Sequence, residues 1–143
     1  MEEVHLVKTN EFPILLLSYD QKSFISTEER MIDALKKETC TGYKIVADDK
    51  TVGFIMIRRF GADKVFLWNM LIDARYQKQG FGKASLRSLA DLLKSEGMKT
   101  LTTTCSINNS VALAFYLNFG FSHVETIRSG KVHEMNLMKH LCP

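Results

Sequence analysis

Gln77-Lys78-Gln79-Gly80-Phe81-Gly82 is the stretch whose reading decides the fold. An apolar run precedes it, Val65-Phe66-Leu67-Trp68-Asn69-Met70-Leu71-Ile72. Lys83 to Glu96 follows, with Leu86, Leu89, Leu92 and Leu93 recurring on one helical face. The segments therefore read strand, glycine-bearing loop, helix. Such a junction aims the unpaired N–H groups of a helix's first turn at open space, where the macrodipole adds roughly half a positive charge. A phosphate or pyrophosphate fits there, and Gly80 and Gly82 let the backbone approach an anion with no Cβ in between. Two common phosphate motifs do not match. A P-loop needs glycine where Gln77 stands and Ser or Thr where Ala84 stands; a dinucleotide fingerprint needs a third glycine where this chain has Ser85.

The 143 residues, 45% hydrophobic, predict one compact domain over 1–143. No apolar run approaches the roughly 20 residues of a membrane span. Met1-Glu2-Glu3 lacks the charged-then-apolar layout of a signal peptide. Cys40, Cys105 and Cys142 are odd in number, widely spaced and without metal-ligand rhythm, so they read as reduced thiols in a cytoplasmic protein, a catalytic cysteine being the lesser alternative. His5, His123, His133 and His140 are scattered, and no metal is expected. A net charge of +3 suits an anionic cofactor but shows no basic cluster of the kind nucleic acid requires.

Val4 to Val7 reads as a first strand, and Phe12 to Leu17 as the opening of a helix with Pro13 in its first turn. Ser26-Thr27-Glu28-Glu29 is a capping box for a helix to about Lys37 that buries Met31, Ile32 and Leu35. Tyr43 to Ala47 and Thr51 to Arg58 form a hairpin about Asp48-Asp49-Lys50. Gly61-Ala62-Asp63 turns the chain into the strand ending at Ile72. Gly97 stops the loop helix, and Leu101 to Cys105 is a threonine-rich central strand. Asn108-Asn109-Ser110 starts a further helix through Phe119, ended by Gly120. Phe121 to Ile127 and Val132 to Met138 make a second hairpin about Ser129-Gly130. The order β-α-α-β-β-β-α-β-α-β-β predicts an α/β fold: a mixed, mostly antiparallel sheet with a central parallel β-α-β unit and helices on both faces.

The loop pattern Q/R-x-x-G-x-G/A resembles the coenzyme A pyrophosphate loop of the GNAT superfamily of N-acetyltransferases. Asn109-Ser110-Val111-Ala112-Leu113-Ala114-Phe115-Tyr116, followed by Phe119-Gly120-Phe121, is similar to that family's N-x-x-A-x-x-[LF]-Y-x-x-x-G-F pattern. Two motifs in order, with the right elements between them, identify the chain as a member of the superfamily. The resemblance implies acetyl-coenzyme A as acyl donor. It places the cofactor on Met70, Leu71 and Ile72 of the strand, on Gln77, Lys78, Gln79, Gly80, Phe81, Gly82, Lys83 and Ala84 of the loop, and on Asn109, Ala112 and Tyr116. The amides from Gln79 to Ala84 would hold pyrophosphate, the backbone of Met70 and Ile72 would pair with the pantetheine arm, and Asn109 would hydrogen-bond it. Tyr116 would be the general acid at the sulfur, and Ile72 N–H the donor to the oxyanion. Without the motif, Tyr116 reads as a core residue and Asn109 as only an N-cap.

The acceptor implied is a primary amine attacking directly in a ternary complex. A lysine-like amine, with pKa near 10.4, is neutral in on the order of one molecule in a thousand at neutral pH, a deficit of roughly 4–5 kcal/mol. A base or a water relay must take its proton. Many family members carry a glutamate on the strand before the loop, and this chain has none between Lys64 and Ile72. Asp73 reads as pointing away, leaving Glu125, His123 and Glu134 as candidates. Ile72-Asp73-Ala74-Arg75-Tyr76-Gln77, Leu16-Ser18 through Phe24-Ile25-Ser26, and Gly130-Lys131-Val132 resemble bacterial spermine/spermidine acetyltransferases, which have Asp-Arg where this chain has Trp68-Asn69. A polyamine or other small amine is thus one expectation, with Trp68, Phe24, Glu28 and Glu125 as acceptor-binding candidates. A protein amino group is an alternative, and a non-catalytic acyl-coenzyme A sensor is another. A homodimer through the last hairpin is also expected.

Overall fold

The structure, a computed structural model, describes residues 3–17 and 28–141. Its strands are β1 (His5–Thr9), β2 (Cys40–Ala47), β3 (Lys50–Phe60), β4 (Lys64–Ile72), β5 (Thr100–Ser106), β6 (Ser122–Ser129) and β7 (Val132–His140). The helices are α1 (Glu28–Leu35), α2 (Phe81–Ser95) and α3 (Ser110–Phe119), with a 3-10 turn at Ala74–Tyr76. All seven strands join one sheet in the order β1-β2-β3-β4-β5-β7-β6. Among the described residues only β4 and β5 pair in parallel, joined by α2 as a crossover; the other pairs are antiparallel. The expected mixed sheet with one central parallel unit is what the chain forms.

Each turn has a local cause. Asp48 and Asp49 both take positive φ, 48° and 63°, the two-residue hairpin geometry whose twist matches the strands it joins. Gly97, at φ 85°, ends α2: its N–H donates to Lys94 O and Met98 N–H donates to Leu93 O, satisfying carbonyls the helix leaves open. On α2 the buried positions Phe81, Ser85, Leu86, Leu89 and Leu93 form one stripe.

Two apolar clusters sandwich the sheet. α2 and α3 cover one face through Leu86, Leu89, Leu93 and Tyr116 against Ile55, Ile57, Val65, Leu67 and Leu101. On the other face, Met31, Ala34 and Leu35 of α1 meet Cys40, Phe54, Met56 and Leu71. Positions 52–57 of β3 are buried without interruption, as a strand covered on both faces must be. β6, at the sheet's edge, is exposed along its whole length. No described helix is long and apolar enough to cross a membrane.

Two expectations are corrected. Residues 12–17 are not helical. Leu16 N–H donates to the Asp73 carboxylate at 2.9 Å and Leu16 O accepts from Ala74 N–H, so the segment's hydrogen bonds go across to the end of β4. Phe12, Leu15 and Leu17 pack on the second cluster, Phe12 edge-on to Phe54 at 5.0 Å, and this burial overrides helical propensity. In α1 the buried set is Met31, Ala34 and Leu35, whereas Ile32 is 40% exposed. The capping residues Ser26 and Thr27 lie outside the described residues, as do Phe24 and Cys142.

Candidate active site

β4 and β5 run together only from Lys64↔Thr100 to Leu67↔Thr103. Thr103 Oγ1 donates to Leu67 O at 2.9 Å and closes the ladder. Beyond it the strands part, β4 staying with β3 and β5 with β7. The break coincides with a bulge: Met56 pairs with Asn69 and Ile57 with Leu67, which leaves Trp68 as an extra residue that bends β4. A cleft of about 1030 Å³ opens between the parting strands. Trp68, Asn69, Met70, Leu71 and Ile72 line one wall and Thr103, Thr104, Cys105 and Ser106 the other. The loop with the start of α2, and α3 with Asn109, Ala112, Phe115 and Tyr116, complete the lining.

At the loop end, Gly80 (φ 87°) is the N-cap of α2, and Lys78 (φ 62°) is a second left-handed residue. Backbone turned this way makes a concave nest of N–H groups. Among the described residues, no acceptor takes the amide protons of Gly80, Phe81, Gly82 or Lys83. Ala84 N–H is different: it is bonded to Gly80 O at 3.0 Å, so it is not open to an anion as the sequence reading had it. Gln79 turns its side chain to Arg75 O at 3.4 Å and does not line the cleft. Gln77 Nε2 donates to Ile72 O at 3.1 Å and pins the loop to the end of β4. Lys78 and Lys83 line the cleft and add positive charge. A Cβ on Gly82 would lie 3.7 Å from the Phe115 ring, ordinary contact, so packing within the fold does not demand glycine there.

Asp73, immediately after β4, has no exposed surface. It accepts from Leu16 N–H, from Arg75 N–H at 2.9 Å, and from the Arg75 guanidinium at 3.0 and 2.8 Å. The Arg75 hydrogen bond, reinforced by those of the backbone, outweighs burial and holds its carboxyl well below the usual carboxylate range. It is a structural anchor and not a proton acceptor, in keeping with the expectation that it points away.

Asn109, also in the lining, caps α3, its Oδ1 accepting from Ala112 N–H at 3.2 Å. Tyr116 is 9% exposed, edge-on to Phe115 and Phe121. Burial pushes its pKa up to about 12, with a hydrogen bond to Thr103 pulling the other way and the nearby Cys105 raising it further. Burial, then the charge of Glu134, also pushes the Cys105 thiol up. Both groups therefore stay protonated at neutral pH.

Glu125 lies elsewhere. With Arg58, Phe66, Thr102 and Asn136 it lines a separate cavity of about 400 Å³, and it accepts from Asn136 Nδ2 at 2.8 Å. Trp68 lines the cleft, so the two acceptor-binding candidates do not share one pocket, although Thr103 and Thr104 line both cavities. Glu28 opens α1, and its side chain is outside the described residues. His123 bonds Thr126 on the exposed edge strand. Among the described residues, no group of His, Cys, Asp and Glu is arranged to hold a metal ion. Sequence reasoning missed Asn69, Thr103 and Cys105 as cleft residues. The signal for Asn69 was present, a lone amide inside an apolar strand.

Residues 7–121 match the Acetyltransferase (GNAT) family. The chain belongs to that family. Among GNAT relatives, [ribosomal protein bS18]-alanine N-acetyltransferase of Salmonella typhimurium is 27% identical over 128 residues, which are 90% of this chain and 85% of that protein. L-2,4-diaminobutyric acid acetyltransferase of Nocardia farcinica is 30% identical over 79 residues, 52% of this chain and 41% of the relative. A GNAT family acetyltransferase from Elizabethkingia anophelis, solved with acetyl-CoA bound, superposes with a TM-score of 0.76 at 16% identity, covering 98% of this chain and 99% of that one; it shows the shared fold. The named substrates of these relatives do not carry the polyamine resemblance.

Proposed function

We propose that this chain is an N-acetyltransferase that moves an acetyl group from acetyl-coenzyme A to a primary amine by direct attack, and that the amine is the α-amino group of a polypeptide. The observation that carries the reading is the cleft where β4 and β5 part, lined both by open helix N-terminal amides and by a buried protonated tyrosine. Gly80 to Lys83 would hold the pyrophosphate through backbone N–H groups, with Lys78 and Lys83 adding charge. The parted β4, at Met70 and Ile72, would align the pantetheine arm as an added strand. Once bound, acetyl-coenzyme A supplies an activated acyl thioester. The Ile72 backbone N–H is the candidate donor to the oxyanion.

Tyr116 acts as a hydrogen-bond donor. Full transfer from a phenol near 12 to a thiolate near 8.5 would be uphill by about 3–4 pKa units, or ~5 kcal/mol. Tyr116 therefore stabilises the departing sulfur by sharing its proton, and the net proton comes from the attacking amine.

The lining of the cleft favours one class of amine. Among the described residues it contains no carboxylate and no imidazole. A lysine-like amine or a polyamine would have to be deprotonated against a deficit of roughly 4–5 kcal/mol, whereas an α-amino group with pKa near 8 faces only ~1 kcal/mol. Lys78 and Lys83 would also repel a polycation. The relative that spans 90% of the chain is named for an alanine of a ribosomal protein, which supports the same choice. Glu134, paired across from Ser106 and felt electrostatically at Cys105, is the carboxylate best placed to receive the proton through water.

Thiol release from acetyl-coenzyme A with an amine panel tests the reading. A peptide with N-terminal alanine should turn over at least tenfold faster than spermidine or 2,4-diaminobutyric acid; equal or reversed rates would overturn the acceptor assignment. The baseless lining also fits a second reading, a non-catalytic acyl-coenzyme A sensor, which would bind the thioester and release no thiol with any amine. A dimer through the exposed β6 edge is expected as well, and a monomer mass by light scattering at micromolar concentration would exclude it.

A further inference from the structure

Asn69 stands alone as an amide in the run from Val65 to Ile72. It is 7% exposed, it lines the cleft, and its Nδ2 has no hydrogen-bond partner among the described residues. The one other buried side-chain atom in that condition among the described residues, the Tyr43 hydroxyl, lies beside the Arg59 guanidinium and outside the cleft lining. A buried donor left open is costly, and such groups are kept where something fills them. The alternation of β4 says which side it serves. Met70 and Ile72 pack with the cluster under α2 and α3, whereas Trp68 and Leu71 pack with the opposite cluster. Asn69 pairs with Met56, a member of that opposite cluster. Its amide therefore faces away from the helices that carry the anion end and Tyr116, at the point where the parted strands open the sheet to its other face.

We infer that Asn69 Nδ2 is a specificity-determining donor for a carbonyl oxygen of the acceptor, so that the enzyme selects an amine with a carbonyl on the adjacent carbon, as at a peptide N-terminus, over a simple alkylamine. The inference rests on the acetyl-transfer reading above and narrows its substrate. A site built around a hydrogen bond discriminates strongly, because an analogue lacking the partner atom leaves the buried group unpaired.

The test compares a hexapeptide bearing N-terminal alanine with isopropylamine, the same branched amine without the carbonyl, in wild type, Asn69→Leu and Asn69→Ala. The ratio of kcat/KM for peptide over isopropylamine should fall by about tenfold or more in both variants, through peptide KM, with acetyl-coenzyme A affinity by calorimetry unchanged. The change in ratio is read between enzymes, so the differing amine pKa values cancel. Thermal melting of the free proteins adds a readout that needs no substrate: Asn69→Leu should melt at or above the wild-type temperature, because it removes an unsatisfied buried donor. An unchanged ratio would overturn the inference, showing that the amide holds at most a water. A fall in acetyl-coenzyme A affinity would overturn it by assigning the amide to the acyl donor. Should wild type bind acetyl-coenzyme A yet acetylate neither amine, the transfer reading fails, and melting decides the geometry alone: a lowered melting temperature in Asn69→Leu shows a donor already satisfied and overturns the inference.

Discussion

The two halves of β4 share a strand and little else. From Lys64 to Leu67 the chain is paired on both sides, with β3 and β5, and Val65 and Leu67 are fully packed under α2. From Trp68 to Ile72 it keeps β3 and loses β5, lines the cleft with every residue, and carries a buried amide without a partner. The first half builds the core. The second lines the cleft, and in the proposed reading it aligns the pantetheine arm. The lesson is that a strand can be continuous by dihedral angle and discontinuous by role, with one bulge at Trp68 marking the change.

If that division is right, substitutions in the first half should act on stability and those beyond the break on binding or rate. The largest effect is expected at Leu67→Ala, which removes a side chain 1% exposed at the last rung of the ladder: about 3 kcal/mol less stable by urea unfolding, with acetyl-coenzyme A affinity of the folded fraction little changed. Asp73→Ala should come next. It strips acceptors from Leu16 N–H and Arg75 N–H and frees the end of the parted half, at a cost of about 2 kcal/mol at neutral pH. Because its folded pKa is depressed below the unfolded value, the charge contributes stability above about pH 4 and loses it as pH falls through the folded value. Wild type and variant should therefore converge in acid below about pH 4, and a gap that stays constant would contradict the ionised anchor. The smallest effect is expected at Tyr116→Phe: kcat down about tenfold, or ~1.4 kcal/mol, with acetyl-coenzyme A affinity unchanged, since the thiolate loses a donor it feels only as it departs. An unchanged kcat would remove Tyr116 from the chemistry.

Much of this was legible in the sequence for a physical reason. Gly80, Gly97 and Gly120 adopt left-handed backbone that few other residues take, so they punctuate the chain reliably. Asn109 announces α3 through the same oxygen that caps it. The open amides at the start of α2 were readable because they are local, made by one loop and one helix turn. What escaped was long-range. Residues 12–17 are extended because Asp73, far along the chain, takes the Leu16 amide. Glu125 lies outside the cleft because the β6–β7 register carries it to Asn136. Asn69 gains meaning only once β5 is known to leave β4 after Leu67.

The central claim is that the open amides at the start of α2 hold the pyrophosphate of acetyl-coenzyme A, and Gly82→Glu addresses it most directly. The new Cβ meets the Phe115 ring at 3.7 Å and Ile72 Cγ1 at 3.9 Å, both ordinary contacts, and a carboxylate in a helix's first turn favours the helix, so the variant should fold and melt like wild type. Its carboxylate would occupy the anion's place. Titration calorimetry with acetyl-coenzyme A should then show binding to wild type and at least a hundredfold loss in Gly82→Glu; equal affinity in the two proteins would contradict the account.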